Sequence, residues 1–193
     1  MEMNVEQLLE KFYNNPKHAN KVKDFSLIIF EDVNKTYKEL TENHKRMLSA
    51  AALLHDIGYY VDEKNHNKHS QKMIMDYGLE GYNQKQKEII SCVCRYHRGS
   101  LPDKDEHDIY CYLDKAERKT VKKLGGILKI ADGLAHIEHI GAIRVNYDSE
   151  NNITEILLKP EHSDFYPDIN YVIRKKDLFE IGFKTQVIFK FER

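Results

Sequence analysis

The chain of 193 residues has little cysteine, and its three cysteines are an odd number without the spacing of a disulfide framework. This favours reduced thiols in a reducing compartment. On a helix, Cys92 and Cys94 would point about 200° apart, so they would not hold one metal ion together. We therefore interpret the cysteines as ordinary small buried side chains.

The sequence also lacks an excess of charge and a long apolar run. Lys and Arg total 30 against 31 for Asp and Glu, which excludes an overall basic field for nucleic acid or anionic lipid. The longest apolar stretches, residues 26–30 and the one ending at Leu54, fall short of the roughly 20 residues that span a bilayer. The acidic start lacks an apolar signal segment, so we expect a cytoplasmic protein.

Apolar residues recur at helical spacing through the first three-quarters of the chain. The pattern and its capping residues predict helices over about Pro16 to Val33, Glu42 to Asp56, His69 to Tyr77, Asn83 to His97 and Asp114 to Leu134. After Gly141 the period changes towards two, which predicts a hairpin, a helix after Asp168 and a final strand from Thr185 to Phe191. We expect a mainly α protein: a helical domain over residues 1–140 with a small β-β-α-β layer, residues 141–193, packed on it.

His55 and Asp56 are adjacent at the end of an apolar, alanine-rich helix. An imidazole and a carboxylate there can bind a divalent cation if other donors converge on them. His18 lies in the first turn of an earlier helix, and Asp132 lies near the middle of a later one. Asp132 adjoins an apolar stripe, so it must face solvent or have a buried cationic partner. Ligands spread over several helices suit a catalytic site, because they leave positions open for water and substrate.

A second ion could be held by histidines together with Asp56 as a bridging carboxylate. His66 and His69 are three residues apart and would share one helix face, and His97 ends another helix. The sequence leaves open whether His66 or His69 is the ligand. It also leaves open whether one ion binds or two, and whether the metal is Mn, Fe, Co, Ni, Zn or Mg.

Together these motifs resemble the HD superfamily of metal-dependent phosphohydrolases, and most closely the C-terminal region of the exopolyphosphatase and guanosine pentaphosphate phosphatase family. The resemblance covers nearly the whole chain. It rests on four segments: His55-Asp56-Ile57-Gly58-Tyr59, Asn65-His66-Asn67-Lys68-His69-Ser70, Arg95-Tyr96-His97-Arg98-Gly99 with Pro102, and Ile127-Leu128-Lys129-Ile130-Ala131-Asp132-Gly133-Leu134.

The resemblance implies the HD helical fold, with His18, His55, Asp56 and Asp132 on the superfamily's ligand positions. It also implies that the actin-like domains, in which full-length exopolyphosphatases split phosphoanhydrides, are absent from this sequence. One departure follows Asp132: where relatives usually continue with Leu-Asp-Arg, this chain has Leu134-Ala135-His136.

Two functions are consistent with these residues. The first is a metal-dependent phosphohydrolase acting on a nucleotide, an alarmone or polyphosphate, with His55 and Asp56 as catalytic metal-site residues. Cations beside the ligands would then bind the substrate phosphate: Lys64, Lys68, Arg95 and Arg98, of which Arg98 is best placed. The alternative is a non-catalytic polyphosphate- or alarmone-binding module that works with a separate actin-like partner. A homodimer is possible in either case, because the 12 tyrosines could serve an interface.

Overall fold

A computed structural model describes residues 2–162 and 167–192 and is mainly α-helical, with a small sheet near the C-terminus. The fold class predicted from the sequence is therefore confirmed. The helices are α1 (Val5–Phe12), α2 (Pro16–Tyr37), α3 (Glu42–Leu54), α4 (His66–Tyr77), α5 (Gln84–Tyr96), α6 (Asp108–Cys111), α7 (Lys115–Ala135), α8 (Asn170–Ile173) and α9 (Asp177–Phe183). A 3-10 helix, Ile57–Tyr60, follows α3, and the strands are β1 (Ile140–Asp148), β2 (Ile153–Pro160) and β3 (Gln186–Phe191).

Local capping explains where the longer helices begin. The side chain of Asn15 accepts a hydrogen bond from the backbone of His18, and Pro16 occupies the first helical position of α2. Asp114 and Glu117 form the predicted capping box of α7. The predicted bounds were wrong by a turn in two places: α2 continues past Val33, and α4 begins at His66 rather than His69. His66 and His69 therefore lie in the same first turn.

Two short helices, α1 and α6, have no counterpart in the sequence prediction. The first begins with a capping box between Asn4 and Gln7, and it buries Val5, Leu8 and Phe12. This box is a sequence signal that could have revealed the helix. The position of α1 matters because Tyr13 directly follows the last residue of this helix.

The C-terminal layer follows the predicted order except that its single helix is two short ones, α8 and α9. β1 pairs antiparallel with β2, and β3 adds in parallel on the other side of β2. Helix α9 packs closely on α7: a Cβ added to Gly126 would lie 2.5 Å from the Cα of Phe179. The close packing of α9 on α7 holds Lys175, which precedes α9, against the C-terminal half of α7. There Lys175 contacts Asp132.

Across residues 2–162 and 167–192, no helix has the length and apolar character that a membrane span requires.

Candidate metal centre

Six side chains from five helical segments converge at one place in the helical body. His18 comes from the first turn of α2, and His55 and Asp56 directly follow α3. His66 begins α4, and His97 follows α5. Asp132 lies in the last turn of α7 rather than near the middle of the helix, where we expected it from the sequence. All except His18 are buried, and the side chain of His18 is only 10% exposed.

One oxygen of Asp56, Oδ2, faces the first group of donors. It lies 3.3 Å from His55 Nε2 and 3.8 Å from His18 Nε2. Asp132 Oδ1 lies 3.3 Å from His18 Nε2 and 3.7 Å from His55 Nε2. Each of the two imidazole nitrogens therefore lies within 3.8 Å of both carboxylates.

The other oxygen of Asp56, Oδ1, faces a second group. It lies 3.3 Å from His66 Nε2 and 3.5 Å from His97 Nε2, and these two nitrogens are 3.2 Å apart. Asp56 is thus shared between two groups of histidines, one on each carboxylate oxygen.

Three of the histidines are oriented by the same local hydrogen bond. The Nδ1 atoms of His55, His66 and His97 donate to the carbonyl three residues earlier, at distances of 2.8, 2.8 and 2.6 Å. A carbonyl can only accept, so the proton lies on Nδ1 and the lone pair of each neutral ring lies on Nε2. All three lone pairs point into the cluster. This is the arrangement in which a protein presents histidine to a metal ion.

The charges in the cluster shift several pKa values. Burial opposes a charge on His55, but the attraction of Asp56 and Asp132 outweighs it and raises the pKa of His55 to about 10. Burial and the positive charge of His55 lower the pKa of His97 to about 3. Burial would raise the pKa of Asp56, yet the neighbouring His55 keeps it below its usual range. Without a metal ion, the two carboxylates therefore favour the protonated form of His55.

Asp132 also has the buried cationic partner that its position on an apolar helix face demands. Lys175, from the segment between α8 and α9, donates to Asp132 Oδ2. Burial alone would lower the pKa of Lys175, but the carboxylate of Asp132 raises it above its usual value. The C-terminal layer therefore contributes a charge to the centre and leaves Oδ1 of Asp132 facing the histidines.

Four residues proposed from the sequence lie apart from this cluster. His69 turns away, and its nearest acidic partner is Asp62, 4.0 Å from Nε2. Arg95 instead contacts Gln71, with 3.3 Å between Nη1 and Oε1. Lys64 and Lys68 are exposed. Of the four proposed phosphate-binding cations, Arg98 contacts the cluster: its Nη1 lies 3.5 Å from His66 Nδ1.

Three residues that contact the cluster were not identified from the sequence. The hydroxyl of Tyr13 donates to Asp56 Oδ2 over 2.9 Å. His136 Nε2 lies 3.3 Å from Asp132 Oδ1, and Lys175 holds the other oxygen. The spacing of Asp132 and His136, which are four residues apart, was a sequence signal that could have identified His136. Tyr13 and Lys175 left no local signal.

The donor set fits one or two divalent ions. Ligands about 2.1 Å from a metal ion are separated from each other by about 3.0–3.4 Å at tetrahedral or octahedral angles. The nitrogen and oxygen atoms here are 3.2–3.8 Å apart. Within the described residues, Nε2 of His18 and Nε2 of His55 are buried without a hydrogen-bond partner, which a bound cation would supply.

Comparison with known proteins matches most of the chain to one family. The sequence model for Ppx/GppA phosphatase, domain III, matches residues 2–181. Similar proteins are named guanosine-5'-triphosphate,3'-diphosphate pyrophosphatase. The protein from Pseudoalteromonas translucida is 26% identical over 97 residues, which is 50% of this chain and 20% of the relative. The protein from Pseudoalteromonas atlantica is 26% identical over 127 residues, which is 66% of this chain and 24% of the relative.

A protein of the same name from Aeromonas salmonicida is 21% identical over 158 residues, which is 81% of this chain and 29% of the relative. In these three relatives the matched segment spans less than a third of the full length. The family model, by contrast, spans nearly the whole of the present sequence. This chain belongs to the Ppx/GppA phosphatase domain III family.

Proposed function

We propose that this chain is a metal-dependent phosphohydrolase of the HD type, which cleaves a phosphoester or phosphoanhydride bond of a nucleotide, an alarmone or polyphosphate. The observation that carries the proposal is the position of Asp56, whose two oxygens each face a different pair of histidines. A carboxylate placed in this way can bridge two divalent ions. The names of the relatives, which describe a pyrophosphatase acting on a guanosine polyphosphate, support the reaction class.

The close approach of His66 to His97 also favours a cation. Both Nδ1 atoms donate to carbonyls, so the two Nε2 lone pairs face each other over 3.2 Å and repel. A proton between them would remove the repulsion, but burial lowers the pKa of both rings. A divalent metal ion accepts both lone pairs and does not require either ring to be protonated.

When bound, divalent ions would polarise the phosphoryl oxygen and lower the pKa of a water molecule to near neutral. The protein's part is to hold and orient these groups. His18, His55 and Asp132 would bind on one side of Asp56, and His66 and His97 on the other. Tyr13 fixes the carboxylate of Asp56 by its hydrogen bond, and Lys175 neutralises part of the charge on Asp132. Burial of the cluster keeps bulk water from weakening these interactions.

Arg98 is the residue best placed to bind the substrate phosphate. It is exposed, and its guanidinium reaches the ring of His66. Tyr59 stacks on the same ring, with 4.0 Å between the ring centroids, and holds it in place. Negative charge builds up on the non-bridging oxygens during attack at phosphorus, and a guanidinium can take two of them at once.

Arg98→Ala should therefore reduce kcat/KM for phosphate release by about 10- to 100-fold, because a hydrogen bond to a charged group is worth about 1.5–3 kcal/mol. The metal content should not change, since Arg98 is not a ligand. Lys68→Ala is the matched control, because Lys68 is also an exposed cation but lies apart from the cluster. Steady-state kinetics on both variants decide the matter, and equal rates for Arg98→Ala and wild type would contradict the assignment.

The proposal as a whole is tested by elemental analysis of the purified protein, followed by a phosphate-release screen. The substrates are guanosine pentaphosphate, short polyphosphate and nucleoside triphosphates, each with Mn²⁺, Fe²⁺, Co²⁺, Ni²⁺, Zn²⁺ and Mg²⁺. We expect up to two bound ions per chain and turnover that stops on addition of a chelator. A metal-free protein that binds polyphosphate equally well in chelator would instead favour the non-catalytic binding module.

A further inference from the structure

We propose that His136 is a further metal ligand, which raises the number of protein ligands on the ion beside His18 and His55 from four to five. This inference rests on the proposed function and deepens it, because it assigns different roles to the two ions. It comes from the geometry at the C-terminal end of α7.

His136 points its Nε2 at the same oxygen that His18 faces. Asp132 Oδ1 lies 3.3 Å from His136 Nε2 and 3.3 Å from His18 Nε2. The rings of His18 and His136 are 4.7 Å apart between centroids. The three donor atoms all lie within 4.8 Å of one another, which allows them to share one ion.

His18 also belongs to the group formed with His55 and Asp56. One nitrogen lone pair binds one metal ion, so His18 cannot serve two ions through Nε2. Asp132 Oδ1 also lies 3.7 Å from His55 Nε2, which connects the set of His18, Asp132 and His136 to the set of His18, His55 and Asp56. We therefore infer that both sets would bind the same ion, with five protein ligands: His18, His55, Asp56, Asp132 and His136.

The C-terminal layer fixes the last two of these ligands. Lys175 takes Oδ2 of Asp132, so Asp132 offers a single oxygen to the ion. Tyr171 packs edge-on against the ring of His136, with 5.5 Å between centroids, and the ammonium of Lys175 lies 4.8 Å from the ring centre of Tyr171. These contacts hold a half-exposed histidine on the solvent side of the ion.

The second ion, in contrast, would have three protein ligands, Asp56, His66 and His97. With five or six coordination positions, it keeps two or three for water and substrate, whereas the first ion keeps at most one. We therefore infer that the substrate phosphoryl group binds at the second ion, on the side where Arg98 reaches His66. The first ion is the more tightly held and mainly structural one.

The experiment compares metal binding by the wild type, His136→Ala and the control His69→Ala, another partly exposed histidine, which faces Asp62. Titration with Co²⁺ in a competing chelator measures both affinities, and the visible spectrum of the bound Co²⁺ reports the coordination number. We expect His136→Ala to lower the affinity for one of the two ions by at least about tenfold. Losses of this size occur even when the residue replaced lies outside the coordination shell. The spectrum of that ion should change to a lower coordination number, while His69→Ala matches the wild type.

A His136→Asp variant supplies an oxygen donor in place of the lost nitrogen and should recover part of the lost affinity, which a merely structural role of His136 would not predict. Affinities and spectra of His136→Ala that equal those of the wild type would overturn the inference and leave the two-ion proposal intact. A wild type that binds no Co²⁺ would overturn the proposed function itself. Circular dichroism confirms that each variant is folded.

Discussion

Asp56→Asn is expected to remove both metal ions and to reduce phosphate release by about a thousandfold or more. The asparagine keeps the size of the side chain but offers one neutral oxygen and an amide that cannot bind a metal. Since each oxygen of Asp56 serves a different group of histidines, one substitution affects both ions. The loss of metal-dependent charge stabilisation, worth several kcal/mol, sets the size of the rate effect.

The matched control for this substitution is Asp62→Asn. Asp62 lies on the loop between the 3-10 helix and α4. Its side chain is 42% exposed, and its carboxylate contacts Asn65 and His69 rather than the cluster. Elemental analysis and phosphate release should give wild-type values for this control. Two bound ions and undiminished turnover in folded Asp56→Asn would remove Asp56 from the metal centre.

Gly58→Ala is expected to disrupt the second group of donors through packing alone. A Cβ at this position would lie 1.9 Å from the carbonyl oxygen of His66 and 2.6 Å from the backbone nitrogen of Ser70. Both are backbone atoms of α4, so the 3-10 helix and α4 must separate. Ser70 joins these segments, because its hydroxyl accepts from Gly58 N and donates to the carbonyl of His55. Separation would therefore move His66 away from Asp56.

We expect this substitution to lower the free energy of unfolding by about 1–3 kcal/mol or more and the Tm by at least about 3 °C. The ion beside His66 and His97 should be lost before the other one. Gly125→Ala is the control, because its Cβ would meet the flexible end of Leu178 at 3.0 Å rather than backbone. Thermal unfolding and metal titration measure both effects. A Gly58→Ala protein with wild-type Tm and metal content would show that neither stability nor metal binding requires the close approach of the 3-10 helix to α4.

Much of the fold followed from local patterns. Helical spacing of apolar residues and capping side chains such as Asn15 and Asp114 predicted the long helices, because these signals act within a few residues of where they stand. The change of period after Gly141 predicted the hairpin for the same reason. Helix α1 was missed although Asn4 and Gln7 marked its start.

The choice between His66 and His69 could not be made from the sequence. Both lie in the first turn of α4, and a difference of three residues rotates the side chain by about 60° around the helix axis. That rotation directs His66 to Asp56 and His69 to Asp62. Only the packing of α4 against the 3-10 helix decides which ring faces inward.

By itself, the sequence determined a mainly α chain whose histidines and aspartates are placed at helix ends, since periodicity and capping are local properties. The tertiary structure decided which of those donors meet, that Tyr13 and Lys175 support the two carboxylates, and that His136 joins them. Each of the first two contacts links residues 43 positions apart in the chain. Such contacts depend on how whole helices pack, and no local pattern in the chain encodes them.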